Sequence, residues 1–167
     1  MNIWKYYDGD LKYPDVHKYK NKKDIAFAIA KFNPKNAYAF LKKYKTDKST
    51  TQLLESIIAK HAWTSYEYAK HVLKGHFKTG EKIIATWSLT SLLYAKEILK
   101  DEFPLGEKAI LKSAIHAVRY ATLLGKTRWE EAESIIAKDK FASKEYTNDV
   151  LMKDFYLNGK LICKYEE

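Results

Sequence analysis

Four carboxylates stand at one interval: Glu55, Glu81, Glu107 and Glu133 follow one another every 26 residues. A row of acids at fixed spacing could hold a cation or a basic partner. General acid–base catalysis, however, needs two groups converging on one substrate, which a regular series does not supply. The favoured reading is structural, with each glutamate in the first turn of a short helix, where exposed N–H groups and the helix dipole favour negative charge. The five histidines, His17, His61, His71, His76 and His116, include no pair at i, i+4 and no His-Glu-x-x-His stretch. The helical zinc signature is therefore missing. His71 and His76 flank an expected turn, and His116 shares the phase of Thr64 and Thr90 at the start of a helix. The single cysteine, Cys163, excludes an internal disulfide and a multi-cysteine metal site. It falls in phase with Ala85, Leu111 and Ala137, which suits a small buried thiol better than a nucleophile. No Gly-x-Ser-x-Gly, P-loop or Gly-x-Gly-x-x-Gly sequence is present. These residues predict no enzyme, no metal and no cofactor.

Charge points instead to binding. The 167 residues carry 30 Lys+Arg against 21 Asp+Glu, a net +9. Residues 1–60 hold 13 lysines against 6 acids, whereas 61–110 and 111–167 are each only +1. The candidate contacts are Lys18, Lys20, Lys22, Lys23, Lys42, Lys43 and Lys45, with Tyr19 and Tyr44 as stacking groups. On a helix starting near Lys35, Ala37, Phe40, Leu41 and Tyr44 share an apolar face, and Lys35, Lys42 and Lys45 turn onto a basic flank. Such a flank can neutralise phosphates while nearby tyrosines stack on unpaired bases. Against this, 28 of the 30 basic residues are lysine, a point charge without the guanidinium fork of arginine. An A/T-rich genome favours lysine codons and gives the same bias, so a merely solvated surface stands as the alternative.

The elements that must position these residues are repeats. Residues 64–89, 90–115, 116–141 and 142–167 align without a gap. Tyr68, Tyr94, Tyr120 and Tyr146 form one column, and Ala69, Ala95 and Ala121 the next, with Thr147 as its exception. Val72, Ile98, Leu124 and Val150 form another, Phe77, Phe103, Trp129 and Phe155 an aromatic one, and Ile84, Ile110, Ile136 and Ile162 close the unit. The pattern continues upstream with slippage, through a unit at about 35–63 that carries extra residues near Lys45–Lys48. Each unit reads as two short helices, the first opening at Thr64, Thr90 or Ala142. The second runs from about Thr79 or Pro104, a first-turn proline, to the isoleucine. Glycines such as Gly75, Gly80, Gly106, Gly125 and Gly159 fall near turns, where positive φ is useful. Helices under ~12–15 residues are marginal alone, so the apolar columns must be buried against neighbours. The expected fold is all-α: a compact α-solenoid of about five two-helix repeats over 23–167, one domain, preceded by a non-repeat basic and aromatic segment at 1–22. An apolar fraction of 46% suits a folded chain, and no run approaches the ~18 apolar residues of a membrane span. Met1–Tyr7 lacks a signal-peptide layout, so the expected location is the cytoplasm.

The stretch Tyr68-Ala69-Lys70 through Gly80-Glu81-Lys82-Ile83-Ile84 resembles a short helical pseudo-repeat of uncharacterised proteins from large tailed phages. Tyr94-Ala95-Lys96 through Gly106-Glu107-Lys108-Ala109-Ile110 matches it equally well. The resemblance covers about residues 25–160 and implies a helical repeat fold and a phage origin; it implies no catalytic residue. The first expectation for function is a non-enzymatic accessory factor or inhibitor that docks on, and occludes, a host macromolecule presenting negative charge, for instance a defence nucleoprotein complex or an acidic protein. Direct binding of RNA or DNA through the first 60 residues is the second, and a pocket between repeats that sequesters a small nucleotide is the third.

Overall fold

The longest α-helix among the described residues has only 11 residues, so none is stable without packing. The computed structural model describes residues 21–166, apart from the side chain of Lys22. They are mainly helical with one small sheet, and they belong to two units that divide between Ile83 and Ile84. The expected non-repeat segment, with Lys18, Tyr19 and Lys20, lies outside the described residues except at its last two positions. No described helix is long and apolar enough to cross a membrane.

Unit 1 contains α1 (Lys22–Ala30), α2 (Pro34–Lys43), α3 (Lys48–Ile58), α4 (Ala62–Tyr68, continuing as a wide π turn over Ala69–Leu73) and most of α5 (Lys78–Ile84). Local chemistry fixes the starts. Asn21, Asn33 and Asp47 each accept a hydrogen bond from a backbone N–H three residues on, at 3.0, 2.9 and 2.9 Å, and Pro34 takes the first turn of α2. α4 is capped by His61, whose Nδ1 accepts from the Thr64 N–H at 3.3 Å. Buried Ala37, Phe40, Leu54 and Ile58 form the interior beside Tyr68 and Phe77. Leu41 and Tyr44, expected on the same face, are half-buried.

Unit 2 contains α6 (Ser88–Tyr94, with a π turn over Ala95–Leu99), α7 (Pro104–Ile110), α8 (Ala114–Leu123), α9 (Glu130–Ile136), α10 (Lys140–Glu145, with a π turn over Tyr146–Leu151), β1 (Phe155–Leu157) and β2 (Lys160–Cys163). In both units the first helix of each repeat is preceded by a residue three positions before the one expected to open it. His61, Trp87, Ser113 and Asp139 are the caps. Thr90 does not cap: its hydroxyl donates back to the Ile84 carbonyl at 2.8 Å. A serine column that sequence reading passed over makes a similar bond. Ser65, Ser91 and Ser143 donate to the carbonyls of Ile58, Ile84 and Ile136, seven residues earlier, at 2.9, 3.2 and 2.9 Å. Each of these carbonyls, at the end of the preceding helix, also accepts the backbone N–H three residues on (His61, Trp87 and Asp139), so the serine hydroxyl supplies a second donor.

The tyrosine, alanine and aromatic columns are buried in their own units, and rings nine residues apart pair. Tyr68–Phe77, Tyr94–Phe103, Tyr120–Trp129 and Tyr146–Phe155 have centroids 5.0, 5.1, 5.4 and 5.3 Å apart, in the tilted or edge-on range favoured by ring quadrupoles. Two of the glycines serve this packing and not a turn. A Cβ on Gly106 would stand 2.5 Å from the Phe103 ring and 2.7 Å from Ser91 Cβ, and one on Gly80 would strike the Phe77 ring.

The last unit departs from an all-α reading. Where a second helix was expected, β1 and β2 form an antiparallel hairpin with Tyr156 opposite Leu161 and Leu157 opposite Lys160. The cause is local: Asn158 and Gly159 both have positive φ, 51° and 77°, the geometry of a two-residue hairpin turn. Phe155 still packs on Tyr146, but Ile162 and Cys163, expected in the core, are only half-buried.

Candidate functional site

The end of α2 and the short link to α3 gather the lysines of unit 1. Lys42 and Lys43 lie in the last helical turn, where exposed carbonyls favour cations. The Tyr44 N–H closes the helix on the Phe40 carbonyl at 2.9 Å, and the chain leaves through an extended Tyr44, with Lys45 and Thr46 linking it to Asp47, which is extended as well. Asp47 turns the chain into α3; bonds from the Thr50 N–H and the Thr50 and Ser49 hydroxyls hold its carboxyl well below the usual range.

An open cleft of about 450 Å³ lies along this junction, lined by Leu41, Lys42, Lys43, Tyr44, Lys45, Thr46, Thr51, Tyr68 and Val72. Four of the nine candidate residues, Lys42, Lys43, Tyr44 and Lys45, therefore share one cavity. Lys23 reaches the same link: its Nζ is 3.5 Å from the Lys45 carbonyl. Lys22 opens α1, while Lys18, Tyr19 and Lys20 precede the described residues.

Side-chain order in the cleft comes from aromatic neighbours. Lys42 Nζ donates to the Tyr38 hydroxyl at 3.3 Å and lies 5.4 Å from that ring's centroid. Lys43 Nζ is 5.2 Å from the centroid of Tyr44, which also packs on Phe40 at 4.8 Å. Tyr44 is thus part of the wall more than a free stacking platform. The Thr51 hydroxyl donates to the Asp47 carbonyl at 2.9 Å, so in the 2.6 Å Thr46–Thr51 pair the Thr46 hydroxyl is the donor. Tyr68 donates its hydroxyl to Glu55 Oε1 at 2.9 Å, and burial and then Glu55 push its ionisation far up. Among the described residues no acid lines the cleft, and the formal charges there are those of three lysines.

A second cleft, of about 330 Å³ in unit 2, is electrically different. Arg128 and Lys153 are opposed there by Glu133 and Asp154. Arg128 is committed to Glu133 through two contacts of 2.8 Å, Nε to Oε1 and Nη2 to Oε2.

The glutamate column has its role elsewhere. Glu107 and Glu133 accept from the tyrosine hydroxyl thirteen residues on, Tyr120 at 3.1 Å and Tyr146 at 3.2 Å, as Glu55 does from Tyr68. The same tyrosine oxygens accept from the buried N–H groups of Phe103 and Trp129 at 2.7 Å. First-turn placement holds for Glu81, Glu107 and Glu133 but not for Glu55, which lies late in α3. The tyrosine partnership escaped sequence reading although both columns were visible, because the 13-residue offset links the end of one repeat to the start of the next.

His71 and His76 each face a carboxylate, Glu67 at 3.6 Å and Glu81 at 3.8 Å. Among the described residues no three His, Cys, Asp or Glu side chains gather as metal ligands. No protein-family model matches the chain, and no curated protein or solved structure is significantly similar to it.

Proposed function

We propose that this is a non-enzymatic binding protein built from 26-residue helical repeats with the packing logic of an α-solenoid. On this reading it docks through unit 1 on an acidic face of a macromolecular partner. The repeat part is supported by ring pairs, serine bonds and tyrosine–glutamate bonds that recur in register. The docking part is carried by one observation: residues 1–83 hold 17 basic and 8 acidic side chains, net +9, and residues 84–167 hold 13 of each. The exposed lysines 23, 42, 43 and 45 give that excess a place on α1, the end of α2 and the short link after it, an ordered surface that binds without a large ordering cost. The resemblance of residues 68–84 to phage-protein repeats adds that the partner is a bacterial host component, which the bound protein would occlude.

The test is affinity capture from bacterial lysate with and without nuclease, comparing the wild-type chain with Lys23→Glu/Lys42→Glu/Lys43→Glu/Lys45→Glu. A protein partner that survives nuclease and is lost with the charge-reversed chain supports docking. Equal capture by both chains removes it, and complete loss on nuclease treatment replaces it with direct nucleic-acid binding.

A further inference from the structure

The cleft at the α2–α3 junction has features that docking on an acidic surface does not require. Its volume of about 450 Å³ lies within the ~300–1,000 Å³ range of small-ligand sites. Its lining is divided: the half-buried side chains of Leu41, Tyr44 and Val72 supply apolar surface, and Lys42, Lys43 and Lys45 supply cations. A ligand matched to it needs a flat apolar body joined to a concentrated negative charge.

We propose that this cleft binds a nucleotide, with the base against Leu41 and Val72 beside the wall formed by Tyr44 and the phosphate among Lys42, Lys43 and Lys45. A phosphate monoester carries up to two negative charges on one group, which clustered ammonium groups answer better than they answer a single carboxylate. An acidic peptide would satisfy the lysines but leave the apolar side of the cleft uncovered. Part of the ordering cost is already met, because Tyr38 positions Lys42 and the Tyr44 ring holds Lys43. The inference does not rest on the docking reading, since it requires the cleft and not the total charge of unit 1. The same chemistry can come from a free mononucleotide or from one residue of a single strand.

The experiment titrates the full chain by calorimetry with the four ribonucleoside monophosphates, adenosine, inorganic phosphate and hexa-adenylate. The expected result is one saturable site for a monophosphate, at least tenfold tighter than for inorganic phosphate or adenosine, or for hexa-adenylate if the source is a strand. Hexa-adenylate binding more than tenfold tighter than AMP assigns the site to a strand, and equal or weaker binding assigns it to free nucleotide. Lys42→Ala/Lys45→Ala, at exposed positions, should weaken binding at least tenfold with helical circular dichroism unchanged. Val72→Lys separates this inference from simple charge attraction: it adds a cation but fills the apolar side, so nucleotide binding should fall at least fivefold while capture of an acidic partner is kept. The proposal is overturned if neither monophosphates nor hexa-adenylate saturate at millimolar concentration, if inorganic phosphate binds as tightly as the nucleotides, or if the folded alanine double variant binds like wild type. Should Val72→Lys fail to fold, the alanine pair alone decides.

Discussion

In residues 21–83, Tyr68 is buried against Phe77 and bonded to Glu55; in residues 84–166, Tyr120 and Tyr146 are buried against Trp129 and Phe155 and bonded to Glu107 and Glu133. The interiors follow one pattern, yet the first unit carries the whole net charge and the second carries none. Folding therefore does not need the lysine excess, because the neutral unit packs in the same way. Crowding like charges on one unit works against its compactness. Codon bias toward lysine acts on both units, which contain 17 and 11 lysines, but it does not explain why the basic unit has 8 acids and the neutral one 13. The comparison separates a shared interior from an unshared surface, and the proposed docking draws on the surface alone.

The largest test asks whether the interiors are equivalent. Tyr68→Ala in unit 1 and Tyr120→Ala in unit 2 should each cost about 3–5 kcal/mol, the usual loss for a fully buried aromatic side chain. Urea unfolding of both variants measures it. A loss under about 1 kcal/mol at Tyr68 alone, against the expected core penalty, would break the equivalence and make the first unit's packing a looser version of the second's.

A smaller effect isolates the hydrogen bonds. In Tyr146→Phe the Trp129 N–H loses its buried acceptor and Glu133 keeps only Arg128, a cost of about 1–3 kcal/mol. Burial, and then the neighbouring Glu133, push the Tyr146 hydroxyl up to about 12 from an ordinary 10.0. Above pH 10 the unfolded chain releases that proton while the folded chain keeps it. This contribution is therefore complete below pH 10 and is lost as pH rises toward 12, on the order of 2–3 kcal/mol across the window. Denaturation midpoints of the phenylalanine variant should fall less steeply over that range. Tyr68, also pushed up by burial and Glu55, should give the same contrast in unit 1.

Sequence reading found the columns because each buried position tolerates few residue types, and a 26-residue period makes their recurrence visible without an alignment. Proline at α2 and α7 and the isoleucine ends were readable for the same reason. Other features depended on chemistry that the period hides. The repeat frame implied a second helix ending at Ile162 in the last repeat, although Asn158-Gly159 between Phe155-Tyr156-Leu157 and Leu161-Ile162-Cys163 is a strong local hairpin signal; turn geometry overrode the column. The caps were set three residues late because Thr64 and Thr90 look like helix-capping residues, and the true positions, His61, Trp87, Ser113 and Asp139, share no side-chain type. At the site, Lys42, Lys43, Tyr44 and Lys45 were legible from charge. Thr46, Thr51 and Val72 were not, because only folding brings α3 and the π turn after α4 beside the end of α2.

The exception in the alanine column gives a prediction of opposite sign. Thr147 is fully buried and its hydroxyl has no hydrogen-bond partner, whereas Ala69, Ala95 and Ala121 leave nothing polar at the same position. Thr147→Ala should stabilise the chain by roughly 1 kcal/mol, the relief of an unpaired buried hydroxyl less the lost methyl contacts. Thermal unfolding of the variant measures this. A destabilisation would show that the methyl group fills space in unit 2 that the other repeats do not have.

The smallest effect returns to the difference in charge. Three of the four final-turn geometries end on a non-glycine residue in the left-handed region: Lys74, Lys100 and Met152 have φ of 52°, 56° and 50°. The remaining repeat reaches that conformation one residue earlier, at Gly125 with φ 61°, and is the one whose helix keeps α geometry without a π turn. A glycine arriving early closes the helix; without it the chain takes one wide turn more and places a lysine or methionine where a Cβ is disfavoured. Lys74→Gly and Lys100→Gly should therefore each stabilise by about 0.5–1 kcal/mol, the relief of strain exceeding the added freedom of the unfolded chain. The two should not be equal at low salt. Lys74 lies in the unit with nine excess positive charges and Lys100 in the neutral one, so removing Lys74 also relieves repulsion and gains more. Raising the salt to about 1 M, where the screening length falls to ~3 Å, should bring the two gains together. A gap that persists in high salt would mean that something other than charge distinguishes the two turns.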